Sequence, residues 1–160
     1  SLFLHGGLGH LAGNMLFLGV FGDNVECRVG RARYLALYLA SGVLGTLAHV
    51  GASALTGEGL YTPMVGASGS ISGILGAYLA LFPGNRVRVL VFGFIPTLLS
   101  AWFVIGIWFL MQISGGLSGW SSGGVAYLAH IGGFLGGWLW SRGYRRREAL
   151  RLAREREERL

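Results

Sequence analysis

Five long apolar stretches separated by short polar loops restrict what this chain can fold into more than any other feature of its sequence. A helix needs roughly 20 mainly apolar residues to cross a hydrocarbon core of about 30 Å. The first stretch covers residues 8–21 and a few flanking residues. The others cover residues 34–55, 67–82, 87–113 and 125–140. The sequence therefore predicts an all-α fold, a polytopic bundle of five transmembrane helices.

Glycine and proline within these stretches support a membrane environment. The chain is 52% hydrophobic and 12% charged, and 29 of its 160 residues are glycine. An interior glycine costs a soluble helix on the order of 1 kcal/mol, whereas membrane helices use small residues for close packing. Because proline lacks a backbone N–H, we expect Pro83 to end the third helix and Pro96 to kink the fourth.

Arginine occurs in every second loop, and this alternation predicts the orientation. Loop 23–33, loop 84–88 and the tail contain arginine, whereas loops 56–65 and 114–124 contain only Glu58 as a charge. Basic loops stay in the cytoplasm, so the N-terminus is predicted to be external and the C-terminus cytoplasmic. We expect a membrane domain at 1–141 in a prokaryotic plasma membrane, and an arginine-rich cytoplasmic tail at 142–160 near anionic lipid headgroups. Orientation alone accounts for this positive charge, so nucleic-acid binding is not expected.

Four polar side chains from three spans are expected at one depth in the external half of the membrane: Ser68, His130, His10 and Asn14. Each has an ordinary structural interpretation, since a serine among small residues usually packs and a lone histidine usually forms structural hydrogen bonds. His10 and Asn14, four residues apart, could join two helices. Polar groups that converge at one depth are nevertheless functional candidates, because burying them in lipid is costly.

Small residues at helical spacing predict that the third and fifth helices approach closely. Ser72 and Gly76 follow Ser68, and the face of His130 carries Ala126, Gly133 and Gly137. Such faces allow a serine–histidine hydrogen bond of about 2.6–3.2 Å. The third helix is also short and is expected to begin at Ser68, below the external surface, with free N–H groups that can bind an oxyanion.

The residue types at this depth indicate a Ser–His dyad, because no carboxylate is expected there. Ser68 would be the nucleophile of a serine endopeptidase and His130 its general base. The Ser68 N–H, His10 and Asn14 would stabilise the oxyanion. Neither a metal motif nor a cofactor motif occurs, so none is expected.

Three motifs resemble those of the rhomboid intramembrane serine proteases, and the resemblance covers residues 1–141. They are His10-Leu-Ala-Gly-Asn14 for HxxxN, Gly66-Ala67-Ser68-Gly69 for GxSG, and Ala129-His130-Ile-Gly-Gly133 for AHxxG. The resemblance implies the catalytic and oxyanion roles just given, with Gly66, Gly69, Ala129 and Gly133 as supporting positions. It also implies a six-helix core, of which this chain would contain helices two to six and lack the first.

The resemblance further implies that the substrates are transmembrane segments of other membrane proteins. The predicted fourth helix would gate their lateral entry from lipid, although any one of its aromatic residues could simply face lipid. These residues are Phe92, Phe94, Trp102, Phe103, Trp108 and Phe109.

Two non-enzymatic functions remain as alternatives. One is a non-catalytic rhomboid relative that binds membrane clients, although such relatives typically lack the serine or the histidine. The other is a small transporter, which the placement of polar groups on one side of the membrane disfavours.

Overall fold

The computed structural model describes residues 3–57, 64–91, 93–117 and 125–158. Glu58, Phe92 and most of loop 114–124 lie outside the described residues. The described part of the chain forms α1 (Leu8–Val29), α2 (Arg31–Thr56), α3 (Ser68–Leu81), β1 (Arg86–Val91), β2 (Ile95–Ser100), α4 (Ala101–Leu117) and α5 (Tyr127–Glu157). The predicted all-α class is confirmed, with one two-stranded hairpin added to five helices.

The innermost element of the bundle is α3. Ten of its 14 residues are buried, and it packs against α1, α2, α4 and α5. The surrounding helices expose large apolar side chains, including Leu47 on α2 and Leu110 on α4, which are 61% and 63% exposed. An apolar exterior of this kind is unfavourable in water and suits a lipid environment.

By length and composition, one helix within the described ranges, α2, could cross a membrane unaided. The apolar helices α3 and α4 are shorter, with 14 and 17 residues. At about 1.5 Å per residue, α3 is roughly 21 Å long, whereas a bilayer core measures about 30 Å. A helix of this length with its Leu81 end at one membrane surface would place Ser68 below the other surface.

Glycine allows α3 and α5 to pack backbone against backbone. A methyl group at Gly133 would overlap the carbonyl oxygen of Gly69, and one at Gly137 would overlap the carbonyl oxygen of Gly73. Glycine at these positions lets the two helix axes approach as closely as small residues permit in membrane proteins. The ends of α3 and α5 that carry the predicted site are thereby held together.

The contact line on α3 includes Gly76, as the sequence predicts, and two further glycines. The predicted line is Ser68, Ser72 and Gly76, and a methyl group at Gly76 would overlap the Phe134 carbonyl oxygen on α5. Gly69 and Gly73, which the prediction did not include, also lie against α5. The Ser72 hydroxyl donates to the carbonyl of Ser68 at 2.6 Å within α3. Ser68 lies beside Gly69 at the start of this contact, where its hydroxyl meets His130 on α5.

The prediction of one helix across residues 87–113 is wrong for its first half. Residues 86–100 form an antiparallel hairpin in which Val87 pairs with Leu99, Val89 with Thr97 and Val91 with Ile95. β-branched residues at every second position favour a pleated strand with one buried face over a helix. Helix α4 begins only after this hairpin.

The predicted kink at Pro96 is replaced by strand structure. Pro96 pairs with Leu90 in a sheet of two strands, both of which are edge strands and therefore tolerate a residue without an N–H. Gly93, with a φ of 82°, occupies the turn between the strands. The Ala101 N–H donates to the Asn85 carbonyl at 2.8 Å and closes the base of the hairpin.

Helix α5 continues through residue 141 into the arginine-rich segment. Arg28 donates to Glu148 Oε1 at 2.7 Å, and Arg145 donates to the Ala80 carbonyl at 2.6 Å. The hydrogen bond from Arg28 lowers the pKa of the Glu148 carboxyl. The first turns of the tail thus contact the ends of α1 and α3, and the division at residue 141 stays a prediction.

Candidate active site

Ser68 and His130 meet at one end of the bundle. Ser68 is the first residue of α3, and His130 lies in the first turn of α5. The distance from Ser68 Oγ to His130 Nε2 is 2.7 Å. This distance fits a hydrogen bond in which the hydroxyl donates to an unprotonated ring nitrogen. A serine in this contact can lose its proton to the histidine as it attacks a carbonyl group.

Gly66 shapes the turn that leads into α3. Its φ of 110° lies in a region that side chains disfavour, and a Cβ there would be 2.8 Å from His10 Cε1. The first α-helical bond of α3 runs from the Ile71 N–H to the Ala67 carbonyl at 3.0 Å. The N–H groups that precede Ile71 therefore have no helical acceptor and can donate to an oxyanion beside Ser68.

Asn14 faces the same turn from α1. Its Nδ2 lies 3.6 Å from the Cβ position of Gly66, two residues before the nucleophile candidate. The residue is 7% exposed, and Nδ2 has no hydrogen-bond partner within the described ranges. A buried amide donor without an acceptor is costly, so this group is suited to a ligand that supplies one.

His10 lies one helical turn before Asn14 and is exposed. Its Nδ1 accepts a hydrogen bond from the Gly6 N–H at 3.4 Å, and its Nε2 is 3.0 Å from the Cβ position of Gly66. When Nδ1 accepts, the neutral ring carries its proton on Nε2, which is then a donor on the side of Gly66. The oxyanion role of His10 and Asn14 stays a prediction.

The remaining motif positions hold α5 in place. Gly69 and Gly133 form part of the α3–α5 contact. Ala129, which is 7% exposed, places its carbonyl oxygen where a side chain on Gly45 of α2 would otherwise lie. Because α2 and α3 both contact α5 around His130, the imidazole is carried by a closely packed part of the bundle.

Gln112 on α4 contacts His130 from the side away from Ser68, and the sequence analysis missed it. The distance from its Oε1 to His130 Nδ1 is 2.7 Å, and its Nε2 donates to the Trp108 carbonyl at 3.3 Å. An amide in the otherwise apolar run 101–113 was the available signal in the sequence. The partner could not be identified, because the sequence does not give the register between α4 and α5.

A cavity of about 420 Å³ opens beside Ser68 between α2, α3 and α5. Its wall on α2 is mostly apolar, and the remainder consists of small residues at the starts of α3 and α5 together with Phe3, Met64 and Val65. The lining includes Leu39, Val43, Leu47, Gly66, Gly69, Ala126 and Ala129. A cavity of this size and polarity can hold an extended peptide segment with small or apolar side chains next to the serine hydroxyl.

The aromatic residues predicted to form a gate divide into two groups. Trp108 and Phe109 face α5, with ring centroids 6.1 Å from His130 and 4.2 Å from Phe134. The others in the described ranges are exposed on the outside of the bundle or in the hairpin turn: Phe94, Trp102 and Phe103. The first group is therefore placed to influence the site, and the second to contact lipid.

Comparison with protein families matches residues 1–147 to the Rhomboid domain. The mitochondrial Rhomboid protein 1 of Saccharomyces cerevisiae is 34% identical over 92 residues, which is 58% of this chain and 27% of that protein. The rhomboid protease GluP of Bacillus subtilis is 42% identical over 83 residues, 52% of this chain and 15% of that protein. Human mitochondrial presenilin-associated rhomboid-like protein is 32% identical over 90 residues, 56% of this chain and 23% of that protein.

The matched region is thus about a quarter or less of each of these curated relatives. No solved structure matches the chain significantly.

Proposed function

Because this chain belongs to the rhomboid family, whose members are embedded in membranes, we propose that it is an intramembrane serine endopeptidase that cleaves transmembrane segments. The observation that carries the proposal is the 2.7 Å contact between Ser68 Oγ and His130 Nε2 at the start of α3. A family match alone is compatible with a non-catalytic protein. A hydroxyl in contact with an imidazole acceptor, beside free N–H groups and a cavity, is the arrangement that acyl transfer requires.

The chemistry follows from the positions of the groups. As the Ser68 oxygen attacks the scissile carbonyl carbon, His130 Nε2 takes the hydroxyl proton. The carbonyl oxygen gains negative charge, which the N–H groups at the start of α3, Asn14 Nδ2 and His10 Nε2 stabilise. The imidazolium then donates its proton to the departing amine. A water molecule, deprotonated by the same imidazole, hydrolyses the acyl-enzyme and restores Ser68.

The substrate class follows from the depth and the size of the site. A transmembrane helix has its carbonyl groups in internal hydrogen bonds, so a segment must unwind before one of its peptide bonds reaches Ser68. Glycine, proline or other weak helix formers near the cut lower the free energy of this unwinding and should favour cleavage. The cavity between α2, α3 and α5 then accommodates the unwound segment on one side of the serine. We place entry from lipid beside α4, whose Gln112 and Trp108 lie next to His130.

The orientation belongs to the same proposal. We place the end of the bundle with Ser68 toward the external side of a prokaryotic plasma membrane, and the C-terminus in the cytoplasm. Support comes from the arginine side chains at the opposite end, where Arg28 and Arg145 bind groups on α5 and α3. Of the three relatives named above, GluP is from Bacillus subtilis and the other two are mitochondrial, so the prokaryotic membrane belongs to the proposal.

Cleavage by the Ser68→Ala variant tests the proposal most directly. The full-length protein in liposomes is incubated with a single-span substrate labelled at both ends, and fragments are counted over time. Cleavage should fall to background in Ser68→Ala and stay near wild type in the control Ser53→Ala, which removes a buried hydroxyl from α2. Undiminished cleavage by Ser68→Ala would remove the serine from the reaction.

A covalent probe separates the enzyme from a client-binding relative. A fluorophosphonate reacts with a serine that a neighbouring base activates, so it should label Ser68 in the wild-type protein and not in His130→Ala. A protein that only binds clients would show no labelling at Ser68. Labelling that survives in His130→Ala would contradict the dyad.

A further inference from the structure

We propose that Gln112 is a positioning residue that fixes the tautomer of His130 in which Nε2 is free to accept the Ser68 proton, an inference that rests on the proposed endopeptidase activity. The motifs of the sequence contain a nucleophile, a base and oxyanion donors, but no group that orients the base. The structure supplies such a group from α4.

The three side chains form a continuous line of hydrogen bonds. Gln112 Oε1 is 2.7 Å from His130 Nδ1, and His130 Nε2 is 2.7 Å from Ser68 Oγ. Both ring nitrogens are thus engaged, one by each neighbour. A neutral imidazole has one donor and one acceptor nitrogen, so the group at Nδ1 decides what Nε2 can do.

The orientation of the Gln112 amide is fixed by a second contact. Its Nε2 donates to the Trp108 carbonyl one turn earlier on α4, at 3.3 Å. Reversing the amide would bring two oxygen atoms together there and would present an NH₂ group to His130. The observed orientation presents Oε1, which only accepts, so Nδ1 carries the proton. Nε2 then has its lone pair toward the Ser68 hydroxyl, as a general base must.

A neutral amide suits this role inside a membrane better than a carboxylate would. Gln112 is 8% exposed, and a carboxylate buried there would be costly unless it were fully paired. Within the described ranges, the carboxylates all lie at Asp23 and beyond on α1 and in the tail of α5, at the other end of the bundle. In serine and cysteine proteases the third residue of a triad likewise orients the histidine, and asparagine is one of the residues that does so.

Kinetics of two Gln112 variants test the inference in the full-length protein. Gln112→Met keeps a side chain of similar length without an acceptor oxygen, whereas Gln112→Glu keeps an oxygen at the same place. We expect Gln112→Met to lower kcat roughly 10- to 100-fold with little change in KM, a part of the roughly 10²–10⁴-fold that a positioned base contributes. Gln112→Glu should retain more of kcat than Gln112→Met, because its carboxylate still accepts from His130 Nδ1, although burying the charge lowers its stability. The control Leu110→Ala, at an exposed position of α4, should behave as wild type.

The tautomer of His130 can be measured by ¹⁵N NMR, independently of catalytic activity. In protein labelled with ¹⁵N-histidine, the His130 signals are assigned by their loss in His130→Ala. Wild type should show a protonated Nδ1 and an unprotonated Nε2, and Gln112→Met a mixture with protonated Nε2. A wild-type ring protonated on Nε2 would overturn the inference, even if every Gln112 variant failed to fold. Equal kcat in wild type and Gln112→Met would overturn it as well.

These measurements separate the two proposals. If Ser68 reacts with the fluorophosphonate and Gln112→Met cleaves as fast as wild type, the endopeptidase stands and the positioning role fails. If wild type neither cleaves nor reacts, the endopeptidase fails, while the ¹⁵N signals still report whether Gln112 sets the tautomer. Equal losses of kcat in folded Gln112→Met and Gln112→Glu would mean that the acceptor oxygen does not matter and would contradict the inference.

Discussion

Three uncharged side chains, Ser68, His130 and Gln112, form a chain of hydrogen bonds across one end of the bundle. In a site enclosed by lipid-facing helices, uncharged groups avoid the large desolvation cost of an ion pair. An uncharged partner such as Gln112, however, stabilises the imidazolium of His130 less than a carboxylate would. In the proposed reaction, the oxyanion donors would therefore supply much of the transition-state stabilisation, since electrostatic stabilisation of the oxyanion is usually the largest contribution.

Asn14 is expected to contribute to kcat more than to substrate binding. Its buried Nδ2 lacks an acceptor in the described structure and faces the turn before Ser68, so it gains a partner when an oxyanion forms. Asn14→Ala should lower kcat on the order of 10²-fold with KM nearly unchanged. Steady-state kinetics in liposomes measure both, with the exposed neighbour Met15→Ala as control. A rise in KM at constant kcat would indicate a binding role instead.

The sequence pointed to candidate site residues through their type and their position within an apolar span. Ser68, His130, His10 and Asn14 stand out because hydroxyl, imidazole and amide groups are rare within apolar spans. Gln112 carries the same signal, but it lies near the end of a predicted span, where a polar residue is ordinary. Its importance depends on a contact between α4 and α5, and no local pattern encodes that contact.

Among the elements, α3 and α5 depend most on individual glycines. Any side chain at Gly137 must displace the Gly73 carbonyl and so push the two helices apart. The nearest atoms that a methyl group at Gly137 would meet all belong to the Gly73 backbone. The contact therefore has no flexible side chain that could move aside for an added methyl group.

Gly137→Ala should therefore destabilise the protein by roughly 1–3 kcal/mol, as overpacking of a tight interface does. Separating α3 from α5 also lengthens the Ser68–His130 contact, so cleavage should fall with stability. Unfolding by denaturant in detergent micelles measures the first effect and the liposome assay the second. Gly143→Ala on the same helix is the control, because its methyl group would meet only Arg147 Nη2 at 3.8 Å. Equal stability of the two variants would count against a backbone contact.

The hairpin at residues 86–100 shows that the length of an apolar stretch does not by itself predict a membrane helix. Hydropathy alone cannot separate a membrane helix from two apolar strands, and residues 87–113 are mostly apolar. The alternating Val87, Val89 and Val91, together with Gly93 and Pro96, favour strands and a turn. The contact between α3 and α5 was predictable from Gly76, Gly133 and Gly137, because the spacing of small residues is local. The part that Gly69 and Gly73 play in it depends on how the two helices pack.

At the scale of the whole molecule, charge and apolar surface are segregated. Large apolar side chains cover the outside of α2 and α4, while Arg28, Glu148 and the arginine-rich end of α5 lie together at one end. A bilayer would cover the apolar belt and leave the charged end in water. The position of the belt was predictable from the apolar stretches of the sequence. Helix beyond residue 141 was predictable too, from the four-residue spacing of Arg151 and Glu155, which form an ion pair at 2.7 Å on α5.

The single cysteine offers a test of the proposed orientation. Cys27 is exposed near the charged end, and Leu55 is 90% exposed at the opposite end. In intact cells that express the full-length protein, a membrane-impermeant maleimide should not modify Cys27 until the membrane is permeabilised. Leu55→Cys in a Cys27→Ser background should react in intact cells. The reverse pattern of modification would invert the orientation.

The glycine contact between α3 and α5 also has a consequence for how bilayer composition affects the protein. Acyl chains can replace leucine or phenylalanine side chains along α4 at little cost, because both are hydrocarbon. They cannot replace a carbonyl oxygen seated against a glycine. Thicker, thinner or more viscous bilayers should therefore alter how readily a substrate reaches the serine, and leave the rate of bond breaking in the bound complex almost unchanged.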